Sequence, residues 1–237
     1  MNKVIILTGG TSGIGKATAE LLRRQGCTVY EFSRRPAPSD PWHMGVDVTD
    51  GAAVKAAVDA VYSREGRIDI LINNAGTGAV APAEDITDDQ FANEMEIDLF
   101  GTFKVARAVA KTAMIPAKYG RIINIASMYG LVGNKVAGSA PYHAAKGGVV
   151  NLTRALAAEW GKYGITVNAI CPGYFYTPLT KETLDSDFFQ ANARTMIPEE
   201  RYGNEGELDT AAIFLASPAS SYVTGVNLPV DGGYTCM

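Results

Sequence analysis

Apolar runs alternate with amphipathic stretches along most of the chain. The strand-like runs fall near residues 4–7, 28–32, 43–46, 68–72, 121–126, 166–171 and 226–230. The stretches with helical composition and periodicity fall near residues 13–25, 51–64, 88–117, 142–162 and 206–216. Short apolar strands that alternate with helices are typical of a parallel sheet covered on both faces. The pattern predicts a three-layer, doubly wound α/β fold of the Rossmann type, with residues 1–237 in one domain.

The connection between the second and third strands departs from this pattern. Residues 34–42 are too few for the usual crossover, and three prolines fall within six of them. Parallel strands normally need a dozen or more linking residues, and proline disrupts a helix interior. We therefore predict that the crossover helix between strands 2 and 3 is missing and that a loop replaces it.

Composition excludes several classes of function. The net charge is −4 and there is no basic tract, so we expect no nucleic-acid partner. No apolar run approaches 18 residues, and the first strand starts almost at once, so we expect neither a membrane span nor a signal peptide. Cys27, Cys171 and Cys236 lack metal or redox spacing, and we expect no metal. These features favour a cytoplasmic protein.

A glycine-rich turn follows the first apolar run and precedes the first helix. Glycines at this point let the backbone approach a pyrophosphate, and the helix N-terminus offers free N–H groups to it. The turn therefore predicts a nucleotide site, whose candidate residues are Gly9, Thr11, Ser12, Gly13, Ile14 and Gly15.

A second group of residues indicates proton transfer. Tyr142 and Lys146 are four residues apart in a helical stretch, and Ser127 ends the strand-like run before it. A phenol is a poor acid or base at neutral pH, but an ammonium one helical turn away stabilises its phenolate form. A serine hydroxyl can hold a substrate oxygen beside them. The trio can therefore move a proton while a nucleotide carries a hydride.

The order of these motifs identifies a family. The chain resembles the short-chain dehydrogenases/reductases over essentially its whole length. The motifs that carry the resemblance are Thr8 with the glycine turn, Asp47-Val48, Asn73-Asn74-Ala75-Gly76, Ser127, Tyr142 with Lys146, and Pro172-Gly173 followed by Thr177.

The resemblance implies an enzyme that interconverts a secondary alcohol and a ketone. Tyr142 would be the general acid/base, Lys146 would also bind the nicotinamide ribose, and Ser127 would position the substrate oxygen. Members of the family usually have asparagine at the position of Asp98. The backbone carbonyl of that residue holds a water that links the lysine to solvent. We predict that Asp98 belongs to this proton relay, and that its carboxylate favours a charged Lys146.

The end of the second strand predicts which nucleotide binds. The family places an acidic residue there when it prefers NAD, because a carboxylate binds the ribose hydroxyls and repels a 2′-phosphate. This chain has Ser33, Arg34 and Arg35 instead, and guanidinium groups bind phosphate. We therefore predict NADP(H) as the preferred cofactor and NAD(H) as the weaker one.

The remaining cofactor contacts follow from the resemblance alone. Asp47 and Val48 would bind the adenine, and Thr177 the nicotinamide carboxamide. Other contacts are expected from Asn74, Ala75 and Gly76 beside the ribose and from Pro172 and Gly173 after the sixth strand.

The substrate is less well defined by the sequence. Residues 178–202 are expected to form a substrate lid, and the segments around 159–165 and 172–181 resemble family members that act on gluconate and other polyols. A sugar acid would need a cation, for which Lys181, Arg194 and Lys135 are candidates. Alternatively, aromatic residues could floor a site for a 3-oxoacyl thioester, a steroid or a xenobiotic ketone; these are Tyr129, Tyr174 and Tyr176.

Two further expectations concern partners and class. Family members pair their long helices, so we expect a homotetramer, or failing that a homodimer, whose C-terminal tail crosses the interface. Some folds of this kind are non-catalytic nucleotide-sensing modules. That alternative is the weaker one here, because such proteins usually lose the tyrosine or the lysine.

Overall fold

A computed structural model describes residues 2–34, 40–78, 80–135, 138–178, 180–204 and 206–237, excluding the side chains of Ala193 and Arg194. Seven parallel strands form one sheet in the order β3-β2-β1-β4-β5-β6-β7. The strands are β1 (Val4–Thr8), β2 (Thr28–Ser33), β3 (His43–Gly45), β4 (Ile70–Asn73), β5 (Gly120–Ile125), β6 (Ile165–Pro172) and β7 (Asn227–Val230). The first three strands extend the sheet from β1 in one direction and the later strands extend it in the other, so the strand order reverses between β1 and β4. Such sheets bind ligands at the carboxyl edge of this point.

The helices cover both faces of the sheet. They are α1 (Gly13–Arg24), α2 (Gly51–Glu65), α3 (Asp88–Glu94), α4 (Thr102–Val109), α5 (Ile115–Ala117), α6 (Ala140–Trp160), α7 (Lys181–Leu184), α8 (Asp187–Met196) and α9 (Asp209–Ala216). Between α3 and α5 the chain stays helical, because the wider π-type turns Met95–Gly101 and Ala110–Met114 join the three segments. The predicted helix over residues 88–117 is therefore present, with two changes of hydrogen-bond spacing.

Alternate residues of β1 pack into two different cores. Val4 and Ile6 join a cluster with α2, α4 and α6, whereas Ile5 and Leu7 join a cluster with α1 and α9. Successive side chains of a strand point to opposite faces, so a strand that is apolar throughout must be covered on both. This packing confirms the predicted three-layer Rossmann-type fold.

The described part of the β2–β3 connection, Arg34 and residues 40–42, contains no helix, and the other residues of the predicted loop lie outside the described residues. Arg23 of α1 ties this connection to the sheet: its guanidinium bonds Asp40 at 3.2 Å and Glu31 of β2 at 3.1 Å. Helices α7 and α8 lie within the expected lid and were not predicted from the sequence.

Candidate active site

Lys146 lies at the centre of a buried corner where α6 meets the end of β5. Its side chain is only 5% exposed. The ammonium donates to the Ile125 carbonyl oxygen at 3.1 Å, and its Nζ lies 5.5 Å from the ring centroid of Tyr142. The one-turn spacing of Tyr142 and Lys146 on α6 therefore places both on one face, as the sequence predicts.

Asp98 lies against the same ammonium, in the π-type turn after α3. Its Oδ2 is 3.0 Å from Lys146 Nζ, and its Oδ1 accepts a hydrogen bond from the Thr77 backbone N–H at 2.8 Å. A Cβ added to Gly76 would lie 3.0 Å from Asp98 Oδ2 and 3.3 Å from Lys146 Nζ. The loop after β4 thus packs directly onto the ion pair and leaves it fully buried.

The charge of Lys146 is set by its carboxylate neighbours. Burial alone would lower the pKa of Lys146, but the Asp98 carboxylate, with contributions from Tyr142 and Glu94, raises it above the ordinary value. The ammonium form is therefore retained in a site that excludes water.

Ser127 lies two residues beyond β5, and its extended backbone starts the turn at Met128–Gly130. Its Oγ accepts a hydrogen bond from the Tyr129 N–H at 3.1 Å, which fixes the hydroxyl, and the residue is buried. A Cβ on Gly130 would lie 2.6 Å from the Lys146 carbonyl oxygen, so this turn packs closely against α6. Ser127, Tyr142, Lys146 and Asp98, which we call the catalytic corner, thus come from three adjoining elements.

The glycine turn has a backbone conformation and close contacts that favour glycine. Gly9 and Gly13 have positive φ, at 71° and 53°, which favours glycine. A Cβ on Gly15 would lie 2.3 Å from both Asn74 Nδ2 and the Gly9 carbonyl oxygen. Ser12, at the N-cap of α1, makes no side-chain cap hydrogen bond. The first turn of α1 is therefore uncapped by its own sequence and suits an anion.

Thr8 and Asn74 join this turn to the neighbouring strand. Thr8 Oγ1 accepts hydrogen bonds from the N–H groups of Asn74 and Ala75, each at 3.0 Å. Asn74 Nδ2 donates to the Gly9 carbonyl oxygen at 2.9 Å. Because β1 and β4 adjoin where the strand order reverses, these bonds fix the floor of the cofactor cleft. Thr11 lies in the turn and Ile14 in the first turn of α1, and both are half-buried.

The predicted nucleotide-selecting residues lie at the carboxyl end of β2. Ser33 is half-buried, and Arg34 is exposed and close enough to Asp47 to help lower its pKa. The larger cause of that lowering is the Thr49 backbone N–H, which donates to Asp47 Oδ1 at 2.9 Å. Arg35 lies outside the described residues.

The residues predicted to bind adenine, Asp47 and Val48, are distinct from the residue that caps the next helix. Asp50 caps α2 by accepting from the N–H groups of Ala52 and Ala53, so Asp47 is not needed there. Thr49 occupies Asp47 Oδ1, which leaves Oδ2 as the candidate acceptor for an adenine amino group. The Val48 side chain is buried.

The residues after β6 form the other wall of the cleft. Pro172 ends β6, and the Gly173 N–H donates to the Val230 carbonyl oxygen at 2.9 Å. A Cβ on Gly13 would lie 3.3 Å from Thr177 Cβ, so Thr177 faces the glycine turn. This arrangement brings the predicted carboxamide contact beside the predicted pyrophosphate contact.

Aromatic side chains gather beside the catalytic corner, and we call Tyr129, His143, Tyr174, Phe189 and Tyr234 the aromatic cluster. The hydroxyls of Tyr129 and Tyr174 are hydrogen-bonded, and the His143 ring stacks on Tyr129 with centroids 4.6 Å apart. Burial, followed by contact with Tyr174, raises the pKa of Tyr129, so this phenol stays neutral. The structure therefore brings two predicted substrate residues together.

The third predicted aromatic residue lies elsewhere. Tyr176 is exposed, and its hydroxyl donates to Asp185 Oδ2 at 3.1 Å. Of the candidate cations, Lys181 is bonded to the same carboxylate at 2.5 Å, and Lys135 is exposed. The Arg194 side chain lies outside the described residues.

Two residues of this site were not anticipated from the sequence. Tyr234, near the C-terminus, packs edge-on against Tyr129 and Tyr174 of its own chain, with ring centroids 6.3 and 6.0 Å away. Glu94 is 1% exposed on α3, one helical turn before Asp98. The sequence offered one signal for Glu94: this acidic residue falls at a position that the helical spacing predicts to be buried. No local signal marks Tyr234.

Comparisons with known proteins agree with this geometry. A family model described as enoyl-(acyl carrier protein) reductase matches residues 9–235. The gluconate 5-dehydrogenase of Gluconobacter oxydans is 38% identical, with 97% of this chain and 93% of that protein covered. The 3-oxoacyl-(acyl carrier protein) reductase of Vibrio cholerae is 36% identical, with 98% and 96% covered. The crystal structure of a gluconate 5-dehydrogenase from Burkholderia cenocepacia, in complex with NADP and tartrate, matches with a TM-score of 0.95 and 37% identity, with 100% and 97% covered.

A parallel sheet with a glycine turn after β1 and a serine, a tyrosine and a lysine near the end of β5 defines a nucleotide-dependent oxidoreductase. The chain belongs to the short-chain dehydrogenase/reductase family, which confirms the resemblance carried by its motifs. Within the described residues, no helix is long and apolar enough to cross a membrane, and no three metal-ligating side chains are grouped.

Proposed function

We propose that this protein interconverts a secondary alcohol and a ketone with NADP(H), most favourably on a polyol or a sugar acid. The observation that carries the proposal is the buried ammonium of Lys146, held by Asp98 and the Ile125 carbonyl oxygen beside the Tyr142 ring. A buried cation that adjoins a phenol stabilises the phenolate, and this is what a tyrosine needs to exchange protons near neutral pH.

NADP(H) is the cofactor that the cleft suits. The uncapped start of α1 and the glycine turn would hold the pyrophosphate, and Ser33 with Arg34 would hold a 2′-phosphate. Bound nicotinamide supplies a hydride in reduction and accepts one in oxidation. The Burkholderia relative in complex with NADP supports this choice.

The proton chemistry belongs to the catalytic corner. In reduction, Tyr142 gives its phenolic proton to the carbonyl oxygen of the substrate, and in oxidation the phenolate takes the proton of the alcohol. Ser127, whose hydroxyl is already oriented by the Tyr129 N–H, donates to the same oxygen. Lys146 stabilises the phenolate, and Asp98 keeps Lys146 charged.

A hydroxylated substrate is favoured by the neutral phenols beside the corner. Tyr129 and Tyr174 can exchange their mutual hydrogen bond for bonds to substrate hydroxyls, and their rings can pack against C–H faces. The Gluconobacter relative and the tartrate in the Burkholderia structure support a sugar acid. The Vibrio relative and the family model support a 3-oxoacyl thioester as the second candidate, ahead of a steroid or xenobiotic ketone.

A lid over residues 178–202 is part of this proposal. Leu184 of α7, Phe189 of α8 and Ile197 form a small apolar cluster that also includes Tyr174 and Tyr234. This cluster is separate from the two large cores, so the segment can move without disturbing them. Closure of such a segment excludes water from the reacting atoms.

The test is a set of initial rates of NADPH oxidation, with NADH in parallel, against 5-ketogluconate, xylulose, an acetoacetyl thioester and a 3-ketosteroid. We expect turnover of 5-ketogluconate or xylulose, with kcat/KM higher for NADPH than for NADH. Turnover of the thioester alone would overturn the substrate class. Turnover with NADH alone would overturn the role of Arg34.

A non-catalytic sensing module is distinguished by Tyr142→Phe. An enzyme loses turnover in this variant and keeps NADPH binding, whereas a binding module loses nothing that it uses. Isothermal titration with NADPH, run beside the rate assay, separates the two outcomes.

A homotetramer is the proposed assembly. Val105, Ala106 and Val109 of α4 are buried within the chain's own core, but Phe100, just before α4, is 50% exposed. An exposed aromatic on the long helix suits a helix-pairing interface. Light scattering on the purified protein is expected to give four chains, and fewer for Phe100→Glu; one chain in both would contradict the proposal.

A further inference from the structure

His143 connects the aromatic cluster to the catalytic corner. It follows Tyr142 directly on α6, and its ring stacks on Tyr129 with centroids 4.6 Å apart and an interplanar angle of 23°. The Tyr129 N–H in turn donates to the Ser127 hydroxyl at 3.1 Å. His143 therefore adjoins both residues that are proposed to contact the substrate oxygen, and it lies on the substrate side of the cleft.

The contacts of the His143 ring fix its tautomer. Nδ1 lies 2.8 Å from the Ser139 carbonyl oxygen, which can only accept, so Nδ1 carries a proton and donates it. The same carbonyl also accepts from the His143 backbone N–H at 3.0 Å, and two lone pairs allow both bonds. Ser139 Oγ, 3.2 Å from Nδ1, can then act there only as a further acceptor. In the neutral ring, Nε2 is consequently the nitrogen without a proton.

The second ring nitrogen is a buried acceptor. Among the described residues, His143 Nε2 has no hydrogen-bond partner, although the atom itself is buried. Most buried polar atoms in proteins are paired, because an unpaired one has lost its bonds to water without replacement. The nearby phenols are already engaged, since the hydroxyls of Tyr129 and Tyr174 bond each other. An unpaired acceptor beside the acid/base is a suitable partner for a hydroxyl of the substrate.

Nε2 can make a distinction that the phenols cannot make. A phenol both donates and accepts, so Tyr129 and Tyr174 can bond a hydroxyl, a carbonyl or a carboxylate. Neutral His143 with its proton on Nδ1 offers only a lone pair at Nε2. A substrate hydroxyl can donate to it, whereas a carboxylate, ketone or thioester oxygen would leave it unpaired. A site with a buried acceptor rejects a ligand that lacks the matching donor.

We propose that His143 is a specificity-determining residue: its Nε2 accepts a hydrogen bond from a substrate hydroxyl other than the one that reacts. This inference rests on the proposed function and narrows its substrate class. The carbon skeleton beside the reacting carbon must carry a free hydroxyl that faces His143, and the carboxylate of a sugar acid must lie elsewhere. Polyols and sugars meet this requirement, and an unsubstituted 3-oxoacyl thioester does not.

Nitrogen NMR of the histidine rings tests the first part of the inference without any substrate. The chain has two histidines, His43 and His143, so the spectrum contains two rings. His43→Gln removes one of them and assigns the other to His143. We expect His143 to show a protonated Nδ1 and a bare Nε2 at pH 8.5. The opposite tautomer would overturn the inference, whatever reaction the protein performs.

The same signals test ligand contact in a complex that cannot react. With NADPH bound there is no hydride acceptor, so xylitol can bind and is not oxidised. We expect xylitol to shift the Nε2 signal upfield, part of the way towards the protonated value, and to leave the His43 signals in place. An unmoved Nε2 with xylitol bound, or a fully protonated Nε2, would overturn the inference. Xylitol that does not bind at all, as followed by calorimetry, would instead overturn the proposed substrate class and this inference with it.

Two substitutions separate the hydrogen bond from the packing of the ring. His143→Phe keeps an aromatic ring for stacking on Tyr129 and removes Nε2, whereas His143→Gln keeps an acceptor. We expect the Kd of xylitol with NADPH bound to rise roughly 3- to 10-fold in His143→Phe, and to stay within about 2-fold of the wild type in His143→Gln. The Kd of NADPH should not change in either variant.

His43→Gln is the matched control for these affinities, because it changes a histidine in β3 at the far edge of the sheet. It should leave the Kd of xylitol unchanged. Equal losses in His143→Phe and His143→Gln would show that only the packing of the ring matters and would contradict the role of Nε2. If His143→Phe does not fold, the NMR signals of the wild type and of His43→Gln still decide the question.

Discussion

The catalytic corner and the substrate side of the cleft are built in different ways. Lys146 and Asp98 are almost fully buried, and each contact is a specific polar bond of about 3 Å. On the substrate side, the aromatic cluster draws half-buried rings from the turn after β5, the start of α6, the loop after β6 and the C-terminus, and a buried ring from α8.

This difference separates chemistry from selectivity. When one group of a buried ion pair is removed, the other group has no alternative partner. A substitution in the catalytic corner should therefore have a large effect on stability and turnover. The aromatic cluster spreads its contacts over several rings, so a single change there can be compensated. The family chemistry can thus stay fixed while the substrate side varies.

Removal of the buried ammonium should have the largest effect. Lys146→Met leaves Asp98 buried without its cation, so we expect a loss of about 3–5 kcal/mol in unfolding free energy. Turnover should fall roughly 10²–10⁴-fold, because the phenolate loses its stabilising charge. Urea denaturation and initial rates measure the two effects.

The double variant Lys146→Met/Asp98→Asn is the control for that result. It removes the unpaired carboxylate, so stability should recover while activity does not. Recovery of both would contradict the role given to Lys146 and would make the pair purely structural.

Adding a side chain in the glycine turn should have the next largest effect, on NADPH binding and on stability. Gly15→Ala places a methyl group 2.3 Å from the Gly9 carbonyl oxygen and from Asn74 Nδ2, so the turn must shift. We expect weaker NADPH binding and a loss of about 1–3 kcal/mol in stability. Gly51→Ala, at the start of α2 where a Cβ meets nothing within 4 Å, is the matched control and should change neither property.

Cofactor selectivity should respond to Arg34. Arg34→Ala removes a guanidinium from the end of β2, so we expect the KM for NADPH to rise roughly 10-fold or more, since charge-assisted bonds to phosphate are worth about 1.5–3 kcal/mol. The KM for NADH should change little. Arg24→Ala, an exposed arginine on α1, tests whether general charge explains the result. Equal losses for both nucleotides would contradict the assignment.

The smallest effects are expected on the substrate side. Tyr129→Phe removes one partner of the Tyr129–Tyr174 hydrogen bond, which is worth about 1 kcal/mol. We expect a few-fold rise in substrate KM with kcat nearly unchanged. Tyr176→Phe, whose hydroxyl bonds Asp185 in the exposed loop, should leave both constants in place. A large fall in kcat for Tyr129→Phe would move this residue into the proton chemistry.

The sequence was most informative where one element carries the whole signal. The buried strands are continuous apolar runs, and the spacing of Tyr142 and Lys146 needs only one helix, so both could be predicted. Three prolines in the short β2–β3 connection were enough to predict a loop there in place of a crossover helix.

Tertiary contacts explain what could not be predicted. Tyr234 reaches the aromatic cluster from the far end of the chain, and α7 with α8 is held by the small cluster of Leu184, Phe189 and Ile197. No local periodicity encodes such contacts. The burial of Glu94 is also hard to predict from the sequence, because it depends on the packing of α6 against α3.

The most direct test of the central claim is turnover by Tyr142→Phe, with NADPH and the best substrate of the panel, measured beside NADPH affinity. Loss of roughly 10²–10⁴-fold in kcat with unchanged affinity is the predicted result, because only the phenolic proton is removed. Wild-type turnover in this variant would contradict the assignment of Tyr142 as the acid/base, and with it the chemistry proposed for the catalytic corner.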